Sequence, residues 1–274
     1  MNSPINAAPD TRGYADVNGL KMYYEIDGTG DPLVFVPPAF GVAGFNPFPE
    51  LLRHHSVITV DLQGHGRTAD IAERPITLEY HADDVVKLLK HLGLTKVDLF
   101  GQSYGGAVAT LIALHHPELV RRVATYGATF GPRDVAVDPE MLRFDTPPNP
   151  DSEAFRFQKE TYKRIAPDPE YWPNFWKKIA GIQWEGFSDQ ELASISVPIL
   201  IALGDHDFVL LDHALRIFRL LPNAELAVIP DAGHFALYSE NGRVIPIVEH
   251  FLNKPETNIP IANAEIGYRP GKTR

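Results

Sequence analysis

The chain has 274 residues, with 25 Lys and Arg against 35 Asp and Glu, and it contains no cysteine. This composition excludes disulfides, thiolate metal sites and cysteine nucleophiles. The formal net charge of −10, without an evident basic patch, argues against nucleic acid or an anionic membrane as the main partner. The length suits one or two domains, with a hydrophobic core large enough to be stable without disulfides or other cross-links.

The first residues do not resemble a secretory signal peptide. Met1–Tyr14 is polar, contains Pro4 and Pro9, and lacks a basic start followed by an apolar stretch. Apolar runs such as Ala107–Leu114 are far shorter than the roughly 18 residues that a membrane helix needs. We therefore expect a cytoplasmic protein without a membrane segment.

Strand-like segments recur along the chain. Asn18-Gly19 lies between two of them and is a strong hairpin signal, because both central residues of such a turn take positive φ. Later runs are apolar without polar alternation, which suits strands covered on both faces of a parallel sheet. The predicted strands are Tyr14–Val17, Leu20–Ile26, Leu33–Val36, Val57–Val60, Val97–Phe100, Val123–Tyr126, Ile199–Ala202 and Glu225–Ile229.

Helical segments alternate with these strands. In Glu79–Leu92, apolar residues at 85, 88, 89 and 92 follow the i, i+3, i+4, i+7 spacing of an amphipathic helix. Further helices are predicted at Tyr104 to about His115, Leu211–Leu221 and Val244–Leu252. This alternation predicts an α/β fold, with a mostly parallel eight-stranded sheet, helices on both faces and an antiparallel hairpin at its edge.

The segment 131–197 interrupts the alternation and is helical and aromatic. Trp172, Phe175, Trp176 and Ile179 share one helix face. This face suits the core of a small helical subdomain, the apolar roof of a ligand cavity, or both at once. We expect a core domain of residues 1–130 and 198–254, a helical cap of residues 131–197, and a C-terminal tail of residues 255–274.

Residues 101–105 read Gly-Gln-Ser-Tyr-Gly between a predicted strand and a predicted helix. In that context, G-x-S-x-G is typical of a sharp turn that strains the serine backbone and exposes its hydroxyl. Side chains in place of Gly101 and Gly105 would collide with the neighbouring strand and helix. We therefore expect Ser103 to be a nucleophile.

A serine nucleophile requires a base, and the base requires an orienting acid. Among 11 histidines, His234 follows the strand Glu225–Ile229, so it lies at the same sheet edge as Ser103. Asp205 and Asp207 follow the strand Ile199–Ala202, and spacing alone does not separate them. Asp134, after the strand Val123–Tyr126, is a third candidate.

With these motifs the chain resembles the α/β-hydrolase fold superfamily, in the group that has a helical cap after the sixth strand. The resemblance runs from the hairpin to the last helix. It rests on residues 101–105, the Asp61–Thr68 turn, the G-x-x-D of Gly204–Asp207, and Gly233-His234. It implies the chain order Ser103, Asp207, His234 for the catalytic triad. It also implies a structural role for the Asp61 turn rather than a phosphate loop.

The sequence departs from that family at the oxyanion loop. The family usually has His-Gly after the third strand, whereas Pro37-Pro38 stands here. Proline has no N–H, so neither residue can donate. The resemblance then assigns the oxyanion hole to the amide of Ala39, with Phe40 as the alternative, and to the amide of Tyr104.

Other chemistries have weaker support. No His-Glu-x-x-His, EF-hand or Cys-His pattern suggests a metal, and no G-x-G-x-x-G follows a strand. We expect no metal and no cofactor. The related dehalogenases and epoxide hydrolases carry Asp at the nucleophile position, so Ser103 excludes both of those reactions.

The residues and the resemblance together predict a serine hydrolase that acts on a small-molecule ester or lactone, with no nucleic acid or membrane partner. The residues expected to bind substrate are Phe40, Trp172, Trp176 and Phe208. Two alternatives use the same triad: a cofactor-free C–C bond hydrolase and a perhydrolase. A third is a small-molecule receptor with vestigial hydrolysis.

Overall fold

The computed structural model describes residues 11–43, 48, 50–140, 149–151, 153–239 and 241–255. The predicted C-terminal tail lies outside these residues except for Pro255.

An eight-stranded sheet forms the centre of the protein, in the order β1-β2-β4-β3-β5-β6-β7-β8. Strand β2 is antiparallel to β1 and β4, and the other neighbours are parallel. The strands are β1 (Thr11–Val17), β2 (Leu20–Gly28), β3 (Asp31–Val36), β4 (His55–Val60), β5 (Val97–Gln102), β6 (Val120–Tyr126), β7 (Ile199–Gly204) and β8 (Ala224–Ile229). All eight predicted strands are confirmed.

The opening hairpin forms at the predicted turn. Asn18 and Gly19 have φ of 48° and 81°, and Val17 pairs with Leu20 across the turn. These two positive φ values are what a two-residue hairpin turn requires. The hairpin supplies the antiparallel edge of the sheet.

The α-helices follow the strands in alternation and lie close to their predicted positions. Within the described residues they are α1 (Leu78–His91), α2 (Tyr104–His115), α3 (Arg133–Ala136), α4 (Arg156–Ile165), α5 (Trp172–Ala180), α6 (Asp189–Ser194), α7 (Leu211–Leu220), α8 (Ala236–Ser239) and α9 (Asn241–Leu252). The last helix starts three residues before the predicted start, Val244, because its first residues, Asn241, Gly242 and Arg243, carry no apolar signal.

Two apolar clusters cover the sheet. One contains buried residues of α1, α2, α6 and α7, including Leu88, Ile112 and Ile217. The other contains buried residues of α9 and the opposite side chains of the central strands, including Val248 and Phe100. The central strands are therefore apolar on both sides, as expected for a parallel sheet between helices.

The helices between β6 and β7 have an apolar core of their own. Its buried members are Ile76, Tyr162, Trp172, Phe175, Trp176 and Ile179. We call these six residues the aromatic cluster. Ile76 comes from the loop before α1, so the cluster joins the inserted helices to the sheet domain.

A polar junction at Asp70 adds to this attachment. The Asp70 carboxylate is almost fully buried and accepts from Lys178 Nζ at 2.5 Å and from the Tyr171 hydroxyl at 2.6 Å. Gln63 Nε2 donates to its other oxygen at 2.7 Å. The lysine also donates to two backbone carbonyl groups, those of Ile71 and Arg74. Helix α5 is thus tied to the loop that precedes α1.

None of the helices in the described part of the chain has the length and apolarity needed to cross a lipid bilayer.

Candidate active site

Ser103 lies at the sharp turn between β5 and α2. Its φ of 52° and ψ of −121° are unusual for a residue with a β-carbon and mark a strained backbone. Its amide donates to the Tyr126 carbonyl at 2.9 Å. A β-carbon on Gly101 would lie 2.3 Å from the Gly105 carbonyl oxygen, so the turn is too tight for a side chain there. This is the sharp, strained strand-to-helix turn that the G-x-S-x-G sequence predicts.

His234 and Asp207 form a buried pair. Nδ1 of His234 lies 2.9 Å from Oδ1 of Asp207, and their side chains are 6% and 0% exposed. The same carboxylate oxygen accepts the Val209 amide at 2.9 Å. Because a carboxylate only accepts hydrogen bonds, Nδ1 is the donor in this contact. In the neutral tautomer that this contact selects, Nε2 is the nitrogen with a free lone pair.

The two other candidate acids occupy different surroundings. Asp205 is 37% exposed on its side chain and accepts the Ala232 amide at 3.2 Å. Asp134 is exposed in the short helix α3. Of the three candidates, Asp207 is the carboxylate that contacts His234.

Several contacts join the Ser103 turn to the His234 loop. Gln102, directly before the serine, donates from Nε2 to the His234 carbonyl at 3.2 Å. The Tyr126 hydroxyl donates to the Gly233 carbonyl at 2.7 Å, while the Tyr126 carbonyl accepts the Ser103 amide. Gln102 and Tyr126 pair across β5 and β6. These two residues hold the proposed nucleophile and base loops against one another.

Gly127, the residue after β6, also belongs to this arrangement. A β-carbon there would lie 2.8 Å from Asp207 Oδ2 and 2.8 Å from His234 Nδ1. Sequence reasoning missed Gly127, Gln102 and Tyr126. The available signal was their position, because each lies at the carboxyl end of a central strand.

The imidazole of His234 is covered by aromatic rings. Phe208 lies over it, with ring centroids 3.8 Å apart and planes inclined by 31°. Phe235 meets it edge-on at 5.3 Å. Phe208 was expected to contact substrate, and the structure brings it next to the proposed base, where its ring restricts how the imidazole can rotate.

The predicted oxyanion loop follows β3 and packs against the start of α2. A β-carbon on Gly105 would lie 2.1 Å from the Val36 carbonyl oxygen and 2.5 Å from that of Pro37. Ala39 comes two residues later. The Tyr104 amide is at the first position of α2, where helix amides have no intrahelical acceptor and the helix dipole favours negative charge. The two predicted donors thus come from adjoining segments of backbone.

The Tyr104 side chain reaches helix α1. Its hydroxyl lies 2.8 Å from Nδ1 of His81. Burial raises the pKa of the Tyr104 phenol well above its ordinary value and lowers the pKa of His81 well below its own. This contact between two neutral groups anchors the residue that follows the proposed nucleophile.

The Asp61 turn anchors backbone on both of its sides. Asp61 accepts the amides of Ala43 and Arg67, and burial raises its pKa to about 6. Within the turn, Nδ1 of His65 donates to the Gln63 carbonyl at 2.9 Å, because a carbonyl oxygen only accepts hydrogen bonds. Burial lowers the pKa of His65 to about 4. The loop after Phe40 is therefore fixed to the end of β4.

Three of the residues expected to bind substrate belong to or contact the aromatic cluster. Trp172 is fully buried, and its Nε1 donates to the Pro150 carbonyl at 2.9 Å. Trp176 is buried against Phe155. Phe40 packs against Trp172, with ring centroids 5.6 Å apart. Their contact with a substrate stays a prediction.

Among the described residues, no group of three or more His, Asp and Glu side chains has the arrangement that would hold a metal ion.

Comparison with known proteins identifies the family. The model of the alpha/beta hydrolase family matches residues 33–247, which is most of the chain. The chain therefore belongs to the alpha/beta hydrolase family, and the resemblance inferred from its motifs is confirmed.

Relatives with assigned names differ in their reactions. The 2-hydroxy-6-oxo-2,4-heptadienoate hydrolase of Pseudomonas putida is 28% identical over 261 residues, or 85% of this chain and 93% of that protein. A putative esterase/lipase of Haemophilus influenzae is 24% identical, over 73% of this chain and 75% of the relative.

Solved structures share the fold. A meta-cleavage product hydrolase from Pseudomonas fluorescens superposes with a TM-score of 0.73 at 21% identity, covering 89% of this chain and 97% of that one. An enol-lactonase from Burkholderia xenovorans gives 0.68 at 21% identity, covering 88% and 100%.

Proposed function

We propose that the protein is a serine hydrolase that cleaves a carboxylic ester or a lactone through an acyl-enzyme intermediate. The observation that carries this proposal is the buried contact between Asp207 and His234 beside the strained turn at Ser103. A nucleophile, a base and an orienting acid in this relation support acyl transfer by the triad mechanism.

In the first step, Ser103 Oγ attacks the acyl carbon and passes its proton to Nε2 of His234. Asp207 stabilises the imidazolium that forms and keeps the proton of Nδ1 in place. The tetrahedral intermediate then collapses, the bond from the acyl carbon to the alcohol oxygen breaks, and His234 returns the proton to that oxygen.

The negative charge on the carbonyl oxygen requires donors while the intermediate exists. The amides of Tyr104 and Ala39 supply them in this mechanism. Each donor contributes about 3–4 kcal/mol to transition-state stabilisation in comparable enzymes. Ala39 is preferred over Phe40 because it is the first residue after Pro38 that has an N–H.

Water then hydrolyses the acyl-enzyme. His234 removes a proton from the water as it attacks, and gives that proton to Ser103 Oγ as the acyl–oxygen bond breaks. The products are a carboxylic acid and the free serine. The cycle needs no metal or cofactor.

We further propose that residues 131–197 form a cap over this site. Phe40, Trp172, Trp176 and Phe208 would then line or support an apolar acyl pocket. The support for this assignment is the contact of Phe40, which belongs to the oxyanion loop, with the rings of the inserted helices.

A second candidate is hydrolysis of a carbon–carbon bond beside a ketone by the same three residues. The relative from Pseudomonas putida, whose name specifies a 2-hydroxy-6-oxo-2,4-heptadienoate hydrolase, favours it, because the similarity covers 93% of that protein. In this reaction the leaving group is a carbon that must be protonated rather than an alcohol oxygen.

The test measures the turnover of p-nitrophenyl esters from acetate to decanoate, in parallel with the turnover of 2-hydroxy-6-oxo-2,4-heptadienoate. Wild type is compared with Ser103→Ala and with Ser194→Ala, whose serine is exposed on α6. Ester turnover that disappears only in Ser103→Ala supports ester hydrolysis. Turnover of the dienoate alone, again dependent on Ser103, replaces it with C–C hydrolysis. Equal ester turnover in Ser103→Ala contradicts both assignments.

A further inference from the structure

Phe40 has a backbone conformation that bulky residues rarely adopt. Its φ is +64°, in the left-handed region where glycine and asparagine are common. The Gly41 amide donates to the Pro38 carbonyl at 2.8 Å, so residues 38–41 form a β-turn with Phe40 at its third position. A positive φ at that position is a feature of the type II turn, which normally carries glycine there.

Such a conformation persists only when the surroundings enforce it. Three aromatic rings surround the Phe40 ring, those of Phe155, Trp172 and Phe175, at centroid distances of 5.4, 5.6 and 5.7 Å. These distances are typical of favourable aromatic pairs. All three rings come from the helices between β6 and β7, whereas Phe40 belongs to the loop after β3.

The three rings are themselves held in place. Phe175 stacks on Tyr162 with centroids 5.2 Å apart and planes inclined by 13°. The Trp172 indole donates to the Pro150 carbonyl. Helix α5, which carries both Trp172 and Phe175, is tied to Asp70 through Lys178. The rings that contact Phe40 are therefore themselves packed or hydrogen-bonded within the inserted helices.

The other side of the turn is also constrained. Pro37 and Pro38 have fixed φ, and the loop begins against the first turn of α2, where Gly105 approaches the Pro37 carbonyl. Ala39 lies between these prolines and Phe40. The direction of its amide is thus determined on one side by the prolines and on the other by the conformation of Phe40.

We propose that Phe40 is a positioning residue through which the inserted helices set the oxyanion loop. The aromatic rings hold Phe40 at positive φ, and this conformation aims the Ala39 amide at the developing oxyanion. This inference rests on the proposed function, and it gives the inserted helices a part in the rate of the reaction although they contribute no member of the triad.

The test removes aromatic rings of the inserted helices that contact Phe40 and leaves Phe40 itself unchanged. Phe175→Leu loses a ring that touches Phe40, and Phe155→Leu is a second such variant at a less buried position. The matched control is Phe187→Leu. Phe187 is a buried ring of the same inserted segment, and its ring contacts in the described residues are with Phe130 and Trp184. The substrate is p-nitrophenyl acetate, whose methyl group leaves little for an acyl pocket to contact.

We expect kcat to fall about tenfold or more in Phe175→Leu and Phe155→Leu, with KM within about twofold of wild type, because a misaligned oxyanion donor weakens transition-state binding. Affinity for a trifluoromethyl ketone, which forms a tetrahedral adduct with serine, falls in parallel. Phe187→Leu keeps kcat within about twofold even where its thermal stability drops. Unchanged kcat in both ring variants, or an equal loss in the control, overturns the inference.

Hydrogen exchange separates this inference from the proposed function. A peptide that spans Val36 to Ala43 reports on few amides, since Pro37 and Pro38 have none. Faster exchange of the Ala39, Phe40 and Gly41 amides in Phe175→Leu than in Phe187→Leu supports the coupling even if wild type hydrolyses no ester. Equal exchange in the two variants contradicts it even if Ser103 is the nucleophile.

Discussion

Gly127 lies directly against the imidazole of His234. A β-carbon at position 127 would stand 2.8 Å from Nδ1 and 3.0 Å from Cε1 of that ring. The φ of Gly127 is +58°, and its amide donates to the Ala202 carbonyl at 2.8 Å. The backbone after β6 therefore forms a surface against which the proposed base and its carboxylate partner rest, and that surface has no room for a side chain.

Replacement of Gly127 by alanine is expected to lower kcat about 100-fold, because displacement of a catalytic group by about 1 Å has an effect of this size. Gly93→Ala is the control. Gly93 also has a positive φ, +70°, but a β-carbon there meets nothing within 4 Å. The Gly93→Ala substitution should lower the free energy of unfolding by about 1–2 kcal/mol and leave kcat unchanged. Ester kinetics and urea unfolding of both variants check this, and normal activity in Gly127→Ala would show that the pair tolerates displacement.

The two neighbouring aspartates should respond differently to amidation. Asp207→Asn presents the imidazole with a donor or a weaker acceptor and favours the wrong tautomer, so kcat should fall about 10⁴-fold. Asp205→Asn retains an oxygen that can accept the Ala232 amide, so kcat should change less than about twofold. Steady-state kinetics of both variants is the measurement. A larger loss for Asp205→Asn would move the acid to that position.

This pair illustrates a limit of local sequence patterns. Both aspartates follow β7, and the apolar run that predicts the strand gives no information about the path of the loop after it. In the structure, the Asp205 amide pairs with the Ile229 carbonyl as the loop leaves the sheet, and the turn then brings Asp207 inward. The strands themselves were predictable because burial on both faces leaves a continuous apolar run.

Helix periodicity has a similar limit. The spacing of Trp172, Phe175 and Trp176 predicted a buried aromatic face, and that face is buried. Periodicity reports which face is apolar, but a protein core and a substrate cavity need the same residues. The left-handed conformation of Phe40 could not be predicted either, because it depends on rings more than 100 positions away in the chain and phenylalanine is not a turn residue.

Acid sensitivity should depend on His65. Its pKa falls from 6.5 to about 4 on burial, so the unfolded chain binds a proton more tightly than the folded protein. The stability contributed by the neutral ring is present above pH 6.5 and is lost as the pH falls towards 4. The full effect is about 3 kcal/mol.

Urea unfolding of wild type and His65→Gln from pH 7 to 4.5 measures this contribution. We expect a shallower loss of unfolding free energy with falling pH in the variant, and a wild-type slope in His91→Gln, whose histidine is exposed. The raised pKa of Asp61 acts in the opposite direction over pH 4 to 6, but it is common to all three proteins. Parallel pH profiles for wild type and His65→Gln would exclude His65 as the source.

The tie between α5 and Asp70 should matter for stability. Lys178→Met leaves a buried carboxylate without its cation, although Tyr171 and Gln63 still donate to it. The expected loss is about 3 kcal/mol. Lys163→Met removes an exposed pair with Glu170 and should cost less than about 0.5 kcal/mol. Denaturant midpoints compare the two, and equal losses would show that the Asp70 junction contributes no more than a surface pair.

Identification of the residue that becomes covalently modified tests the central claim most directly. Diethyl p-nitrophenyl phosphate transfers its diethylphosphoryl group to an activated serine and releases p-nitrophenolate, and peptide mass spectrometry locates the adduct. We expect one adduct, on Ser103, formed with a matching release of p-nitrophenolate and absent from Ser103→Ala. Modification of a different residue, or ester turnover by a protein that the reagent leaves unlabelled at Ser103, would contradict the assignment of Ser103 as the nucleophile.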